Sequence, residues 1–305
     1  MRPCIISEQS DIGLVISRYG NRAEIESSSG QRYNCHIRRA LQDLVTGDRV
    51  EWAHDEGSQD AHRGIVTKIL PRTSVLERPI RYQGVKPVAS NIDQIFVVTA
   101  IEPPFSRRIL DRYLVAIEQT GVEACLVLNK TDLIKQGHAV YEDMASYQQL
   151  GYRVLNVSSH NGEGLDSLVE CLQDRISVFV GQSGVGKSSL VNKILPEVDT
   201  AVSSLSDNSG LGTHTTTTSR LYHLPSGGQV IDSPGIREFG VDHLEPQNIA
   251  TGFCEFERYL GLCKFRDCHH IKEPGCAVQN AVKQGEVDTL RYESYKLLYQ
   301  EALEE

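Results

Sequence analysis

The chain contains the nonapeptide Gly181-Gln182-Ser183-Gly184-Val185-Gly186-Lys187-Ser188-Ser189. It matches the pattern G-x-x-x-x-G-K-[ST], a loop that wraps nucleotide phosphates. Residues 177–180 predict a buried strand before the loop, and residues 189–195 predict a helix after it. Glycines let backbone N–H groups face phosphate oxygens, while Lys187 would supply charge to the β- and γ-phosphates and Ser188 a ligand to Mg²⁺. This stretch predicts a nucleotide-binding protein.

The bulk composition indicates an ordinary soluble protein. With 305 residues, 40% of them hydrophobic and 23% charged, the chain is long enough for two or three domains. No apolar run approaches the roughly 18 residues of a membrane span, and residues 1–8 are too short in apolar content for a signal peptide. We therefore expect a cytoplasmic protein without membrane contact, whose eight cysteines are reduced or bind metal.

The net charge of −9 is unevenly distributed. Residues 1–90 hold 13 basic and 11 acidic residues, which leaves 18 basic and 29 acidic residues in the remainder. An RNA-binding surface on the first part is compatible with this distribution, and so is a mixed charged surface. Charge alone leaves the question open.

Residues 10–75 predict a small β domain. Five short runs are predicted to be strands, because they alternate apolar and polar residues or are apolar, and turn residues separate them. They lie at 13–17, 22–26, 32–37, 49–53 and 64–70. Five strands in this length favour an OB-fold barrel, an architecture that often binds oligonucleotides. Candidate RNA contacts are the arginines and tyrosines of this stretch, with a solvated basic face as the alternative: Arg18, Tyr19, Arg22, Arg32, Tyr33, Arg38 and Arg39. We expect residues 72–87 to form a linker.

An α/β pattern follows the linker. Residues 92–100 predict a strand, 108–119 a helix and 124–128 a central parallel strand. At the carboxyl end of this last strand stands Asn129-Lys130-Thr131-Asp132. The Asp132 carboxylate can accept hydrogen bonds from both N1–H and the 2-amino group of guanine, and Asn129 and Lys130 would tie the base loop to the phosphate loop. Beyond a helix and a strand, Ser158-Ser159 resembles the GTPase loop that contacts guanine O6 through backbone N–H.

The order of these motifs identifies a resemblance. Ordinary GTPases place the phosphate loop first, whereas here the base motifs precede it, and Thr215–Thr218 and then Asp232-Ser233-Pro234-Gly235 follow it. This circularly permuted set resembles the family of ribosome small-subunit-dependent GTPase A, over nearly the whole chain. The resemblance implies that the protein hydrolyses GTP to GDP and that the small ribosomal subunit stimulates this reaction. It also implies that the subunit and its rRNA are the partners and that the protein is a monomer. Many members carry a basic extension before the barrel, which this chain lacks, and we expect weaker RNA binding in consequence.

The two switch regions follow from the same resemblance. Asp232 would reach Mg²⁺ through water, and the N–H of Gly235 would sense the γ-phosphate. One of the threonines at 215–217 would complete the Mg²⁺ shell in the triphosphate state, and Thr216 is favoured by its offset from the next strand. Ile236 stands where many GTPases place a water-orienting glutamine, so we expect the neighbouring His214 to take a catalytic part. The alternative is that His214 only packs or caps its loop.

The C-terminal residues contain a metal-binding pattern. Cys263, Cys268, His270 and Cys276 offer three thiols and an imidazole within 14 residues. This set suits a closed, structural tetrahedral Zn²⁺ site whose metal supplies folding energy. His269 and Cys254 are rival ligands, but the family pattern favours His270, and Cys254 is typical of a helix core. Buried reduced cysteines are the alternative.

The predicted organisation has three parts: an OB-fold barrel at 1–75, a circularly permuted α/β GTPase at 76–240 and a mainly helical zinc-binding domain at 241–305, with a frayed acidic tail. The predicted function is a GTPase that binds the small ribosomal subunit and assists its late maturation. One alternative is a regulatory GTPase that acts on a protein partner. A phosphate-loop kinase is the other, and Asn129–Asp132 argues against it because a kinase has no use for guanine specificity.

Overall fold

The structure, a computed structural model, describes residues 10–55, 60–80, 84–195, 219–233, 236, 239 and 244–304. Contacts divide the chain into two compact units. The first combines Met1–Gln94, Val169–Phe179 and Asn192–Arg237, and the second combines Ile95–Leu168, Val180–Val191 and Glu238–Glu305. The predicted domain boundaries at residues 75 and 240 stay a prediction.

A closed barrel of five strands forms the start of the first unit. The strands are β1 (Asp11–Tyr19), β2 (Arg22–Ser27), β3 (Arg32–Ile37), β4 (Arg49–His54) and β5 (Arg63–Ile69). They pair in the order β1-β2-β3-β5-β4, and β4 returns to β1. All pairs are antiparallel except β3 with β5. The alternating runs of the sequence thus form the predicted OB-fold, because alternate side chains point into the barrel.

Trp52 fills the barrel interior. It is 1% exposed and packs among buried aliphatic side chains from all five strands: Val15, Ile25, Ile37, Val50 and Val66. A Cβ at Gly64 would lie 2.8 Å from the Trp52 ring, so the glycine makes room for the indole. The absence of a side chain at Gly64 therefore leaves the space that the Trp52 indole occupies.

The predicted linker is a β-hairpin, so that prediction is wrong. Strands β6 (Val75–Ile80) and β7 (Gly84–Ser90) pair antiparallel in a separate two-stranded sheet. Pro79 faces Val85, and Pro87 faces Glu77. In a two-stranded ribbon the outward-facing N–H groups have no partner strand to which they must donate. The ribbon therefore accommodates the prolines that made the stretch resemble a linker.

Alternating strands and helices follow the hairpin. They are β8 (Gln94–Thr99), α1 (Arg107–Glu118), β9 (Glu123–Leu128), α2 (Val140–Gln149), β10 (Arg153–Asn156), α3 (Leu165–Leu172), β11 (Ile176–Val180) and α4 (Lys187–Ile194). In the second unit β10, β9 and β8 lie side by side, with β10 and β9 parallel. Because β9 and β10 are parallel, the loops that follow them open at the same edge of the sheet.

Two further strands belong to the first unit, β12 (Arg220–His223) and β13 (Gln229–Asp232). Strand β13 runs parallel to β11 and antiparallel to β12. Strand β12 also pairs with β1 of the barrel, where Ser17 faces Arg220. The barrel sheet therefore continues into strands that the sequence assigned to the GTPase.

Helices and 3₁₀ turns make up the C-terminal region: α5 (Pro246–Ile249), 3₁₀ turns at Ala250–Gly252 and Cys254–Tyr259, α6 (Ala277–Lys283) and α7 (Thr289–Glu304). The prediction of a frayed acidic tail is wrong as far as Glu304, which is still helical. Glu301 accepts a hydrogen bond from Arg108, which connects the last turns of α7 to α1. Among the described residues, no helix is long and apolar enough to cross a membrane.

A buried arginine connects α7 to α1 and to the 3₁₀ turn. Arg291 is 1% exposed and donates to Asp111 and to both carboxylate oxygens of Glu255. Its guanidinium lies 4.4 Å from the centre of the Phe253 ring. Since a charge buried this deeply is tolerated only when paired, these contacts fix the C-terminal region within the second unit.

Asp48 has the corresponding role in the first unit, and we predict that replacing it destabilises the barrel. This fully buried carboxylate accepts hydrogen bonds from Arg72 (2.7 and 2.9 Å), the N–H of Val45 (2.8 Å) and the hydroxyl of Ser90 (2.6 Å). Asp48→Asn should lower the free energy of unfolding by about 3 kcal/mol, because the partly buried Arg72 guanidinium loses its fully buried charged partner.

The measurement is urea unfolding followed by fluorescence of Trp52, the one tryptophan of the chain, which lies inside the barrel. Asp43→Asn is the matched control, because Asp43 reaches the same Arg72 at 3.7 Å but is 60% exposed. The control should cost less than about 0.5 kcal/mol. Equal costs for the two variants would contradict the assignment.

Candidate nucleotide site and metal centre

The phosphate loop leaves β11 and enters α4 at Lys187. Gly181 (φ +139°) and Gly186 (φ +95°) have backbone angles that other residues rarely adopt. A Cβ at Gly181 would lie 2.2 Å from the carbonyl oxygen of Val98, and one at Gly186 would lie 2.3 Å from the amide nitrogen of Asn129. These two glycines are required by close contacts with β8 and with the base loop.

Lys187 lies folded over this loop. Its ammonium donates to the carbonyl oxygens of Gly181 (2.6 Å) and Gln182 (2.7 Å). Ser188 and Ser189 follow in the first turn of α4 and are exposed. The arrangement presents a cation and two hydroxyls at a helix N-terminus, as binding of a nucleotide phosphate requires.

Asn129 joins the base loop to the phosphate loop, as predicted. Its side chain is fully buried, donates to the carbonyl oxygen of Val185 (2.9 Å) and accepts from the N–H of Ser159 (3.0 Å). Lys130 is left-handed (φ +61°) and its ammonium donates to the carbonyl oxygen of Glu102 (2.7 Å). Three loops from separate parts of the chain thus meet around one amide.

The candidate guanine carboxylate is also oriented. Asp132 accepts a hydrogen bond from the hydroxyl of Ser158 (2.5 Å), which in turn accepts from the N–H groups of His160 and Asn161 (3.2 Å each). Ser158 therefore fixes the Asp132 carboxylate. The N–H of Ser159, predicted to contact O6 of guanine, donates to Asn129 in this structure, and that role stays a prediction.

The switch residues are only partly within the described part of the chain. Asp232 ends β13, and the buried hydroxyl of Ser233 accepts from the hydroxyl of Ser219 (2.6 Å). The candidate residues His214, Thr216 and Gly235 lie outside the described residues, as do the alternative threonines 215 and 217.

The four predicted zinc ligands meet in one cluster. The ligand atoms of Cys263, Cys268, His270 and Cys276 all lie within 4.8 Å of one another. The sulfurs of Cys263 and Cys276 are 3.9 Å apart, and each lies 3.4 Å from Nδ1 of His270. Around a tetrahedral Zn²⁺, sulfur ligands lie about 3.8 Å apart and sulfur and nitrogen about 3.6 Å apart. The donor set therefore fits one zinc ion.

The ionisation of these thiols also fits a cation. Burial raises the pKa of the Cys268 thiol to about 12 and also raises that of Cys276. Clustered buried thiols can ionise only against a positive charge, which Zn²⁺ supplies. The rivals are engaged elsewhere: the His269 ring packs on Tyr299 at 5.5 Å, and the Cys254 thiol contacts Glu255.

Glu273 is a residue of this centre that the sequence analysis did not single out. Its carboxylate accepts from the N–H groups of His269 (3.1 Å), Ile271 (2.9 Å) and Lys272 (2.9 Å). Burial acts to raise its pKa, but these N–H donors lower it to about 2. Glu273 thus holds the turn that carries His270. The sequence signal for this role was the position of a carboxylate between the last two ligands, His270 and Cys276.

A phosphate loop, an Asn129–Asp132 base loop and a Ser158 loop that supports it define a P-loop GTPase, with the base loops ahead of the phosphate loop. The fold is similar to the crystal structure of YjeQ from Thermotoga maritima, 32% identical, over 97% of this chain and 99% of that one, with a TM-score of 0.75. It is also similar to YloQ, described as a circularly permuted GTPase, 28% identical, over 97% and 96% of the two chains, with a TM-score of 0.76.

A family model described as RsgA GTPase matches residues 69–242. The chain belongs to the RsgA GTPase family. It binds and hydrolyses GTP, and it is a GTPase of the ribosome-associated type. The predicted permutation, barrel and Cys₃His cluster are confirmed by this membership and by the structure.

We predict that purified protein contains about one zinc per chain, since four ligands close the site. Changing both Cys263 and Cys276 to Ser should abolish zinc binding, because it removes half of the donors. Cys254→Ser is the control for the rival thiol and should retain full zinc. Metal analysis by mass spectrometry is the measurement, and stoichiometric zinc in the double variant would refute the ligand set.

Proposed function

We propose that this GTPase binds the small ribosomal subunit through its rRNA and assists the late maturation of that subunit. Hydrolysis of GTP, stimulated by the subunit, would time this step or release the protein. Ribosome association implies that it acts in the cytoplasm, and we propose that it does so as a monomer. The observation that carries the RNA part is a set of exposed arginines on the barrel that form no ion pair with any residue in the described part of the chain.

These arginines lie at one end of the barrel, beside an exposed tyrosine. Arg22 faces Tyr19 across the β1–β2 pair and His36 across the β2–β3 pair. Directly paired residues point to the same side of a sheet, so the three form a row. Arg38 and Arg39 follow shortly after His36 and are exposed, as is Arg22. Cations beside an aromatic ring suit phosphates and a stacked base.

Other candidate arginines have structural partners. Arg18 donates to the carbonyl oxygens of Gln42 (2.6 Å) and Leu44 (2.7 Å) and so braces the barrel. Arg32 forms ion pairs with Glu24 (3.0 Å) and Glu26 (3.3 Å). The proposal therefore rests on Arg22, Arg38 and Arg39 rather than on the whole set.

For the nucleotide, we propose that Asp132 selects guanine and that residues 181–189 hold the phosphates. Ser188, Thr216 and Asp232 would hold Mg²⁺, which neutralises charge on the β- and γ-phosphates when bound. Lys187 supplies a further positive charge of the chain itself. The Cys₃His cluster would hold one structural zinc ion, and its four protein ligands leave no open position for catalysis.

The second switch continues directly into the C-terminal region, because the permuted chain leaves the GTPase after Gly235. A rearrangement there would move that region rather than a local loop. We propose that this connection links the state of the nucleotide to release from the subunit.

Binding to purified small subunits should weaken steeply with salt, since phosphate contacts release counterions. Changing Arg22, Arg38 and Arg39 together to Gln should lower the slope of log affinity against log salt by up to about one per arginine. Arg32→Gln is the control, and it should leave the slope nearly unchanged because Arg32 is already paired. When GTP turnover is measured in the same titration, the subunits should stimulate that turnover. Salt-independent binding would instead favour the regulatory GTPase with a protein partner.

We further propose that His214 takes part in hydrolysis, because Ile236 cannot orient a water molecule. His214→Ala should leave GTP binding intact and lower subunit-stimulated turnover by roughly 10²-fold. His138→Ala, in an exposed position before α2, is the control and should retain stimulation. Stimulated turnover of His214→Ala within a few-fold of the wild type would make His214 a packing residue.

A further inference from the structure

We propose that Arg220 is a positioning residue through which the barrel sets the affinity of the nucleotide site for Mg²⁺. On this proposal Glu24 holds the Arg220 guanidinium on the barrel side of the sheet, away from Asp232. Without that contact the guanidinium pairs with Asp232 and competes with the metal ion. The inference rests on the proposed role of Asp232 towards Mg²⁺ and is independent of the ribosomal subunit. It concerns two residues, Arg220 and Glu24, that lie outside every nucleotide motif of the sequence.

The register of four neighbouring strands places Arg220 between a barrel carboxylate and Asp232. On β12, Arg220 faces Asp232 of β13 on one side and Ser17 of β1 on the other. Ser17 in turn faces Glu24 of β2. Directly paired residues point to the same side of a sheet, so the four side chains form one row across these strands. The order along the row is Asp232, Arg220, Ser17 and Glu24.

The Arg220 side chain is directed along this row towards the barrel. Its guanidinium lies 3.0 Å from Oε2 of Glu24 and donates to the hydroxyl oxygen of Tyr19 (3.2 Å). The fully buried Ser17 donates its hydroxyl to the same Glu24 carboxylate (3.3 Å). Glu24 also accepts from Arg32 (3.0 Å), which keeps the carboxylate in place. The side chains of Arg220 and Glu24 are 31% and 23% exposed, so water only partly screens their attraction.

The strand ends that carry Arg220 and Asp232 are also attached to the barrel through the backbone. Thr46, in the loop before β4, donates to the carbonyl oxygen of Ser219 (3.1 Å), and the Ser219 hydroxyl donates to that of Ser233 (2.6 Å). These two serines directly precede Arg220 and directly follow Asp232. The row therefore keeps its register when one of its side chains is replaced, and the direction of the guanidinium is what changes.

Asp232 offers the guanidinium a second partner in the same row. The Cβ atoms of directly paired residues lie about 5 Å apart, a separation that a long arginine side chain spans. A guanidinium on Asp232 would engage the carboxylate that is proposed to hold Mg²⁺ and would place a positive charge beside a divalent cation. Glu24 therefore favours metal binding because it keeps this competitor on the barrel.

The first test is the affinity of the GDP complex for Mg²⁺, measured by titration calorimetry on the full chain. Glu24→Gln removes the charge that holds Arg220 and should weaken Mg²⁺ binding about five-fold, the size of one partly exposed ion pair. Glu26→Gln is the matched control, because in the described part of the chain Glu26 of the same strand pairs with Arg32 and His223 rather than with Arg220. The control should change the affinity less than about two-fold, and circular dichroism should show both variants folded.

The second test separates competition from simple bracing of the sheet. Arg220→Gln removes the competitor, so this variant should bind Mg²⁺ at least as tightly as the wild type. The double variant Glu24→Gln/Arg220→Gln should recover the wild-type affinity within about two-fold, whereas two bracing residues would show losses that add. Unchanged affinity in a folded Glu24→Gln, weakened binding in Arg220→Gln, or no recovery in the double variant would overturn the proposal.

Asp232→Asn distinguishes a failure of this inference from a failure of the proposed nucleotide site. It should weaken Mg²⁺ binding more than Glu24→Gln does, because it removes the carboxylate itself. Wild-type affinity in Asp232→Asn would refute the proposed role of Asp232 and the inference with it. A loss of affinity in Asp232→Asn but not in Glu24→Gln would refute the inference alone. Neither result involves the subunit, so the proposed ribosomal function would be unaffected.

Discussion

The nucleotide site depends on one buried amide, that of Asn129. This side chain holds the carbonyl of Val185 in the phosphate loop and the N–H of Ser159 in the second base loop. Neither contact depends on the order in which the three loops occur along the chain. A circular permutation can therefore change the connections and keep the site, because buried hydrogen bonds rather than peptide bonds assemble it.

The C-terminal region also belongs to the compact unit that holds the nucleotide site. That unit contains both the base loops and the phosphate loop. Arg291 supplies the connection, since its charge is neutralised by Asp111 on one side and Glu255 on the other. The Cys₃His cluster of that region offers four ligands to one metal ion, and Glu273 holds the turn that carries His270.

The sequence was sufficient to predict those parts of the sites whose residues lie close together along the chain. The glycines of the phosphate loop, Asn129–Asp132 and the four metal ligands each lie within a short stretch whose spacing dictates the geometry. Long-range pairs were not predictable, as Arg291 and Asp111 are 180 residues apart. The hairpin at 75–90 was missed because Pro79 and Pro87 oppose a central strand but not a two-stranded ribbon. Likewise, Arg32, which is paired with Glu24 and Glu26, could not be distinguished from the sequence from Arg38, which has no ion-pair partner among the described residues.

We propose that the site recognises guanine through Asp132, and the nucleotide preference of Asp132→Asn is the measurement that tests this recognition. An amide reverses one donor–acceptor relation with the base. Affinities for GTP and xanthosine triphosphate would be measured for the wild type, for Asp132→Asn and for Asp166→Asn, an exposed carboxylate in the first turn of α3. We expect that only Asp132→Asn transfers its preference to xanthosine triphosphate, with Asp166→Asn unchanged. Undiminished preference for GTP in Asp132→Asn would mean that Asp132 does not recognise guanine.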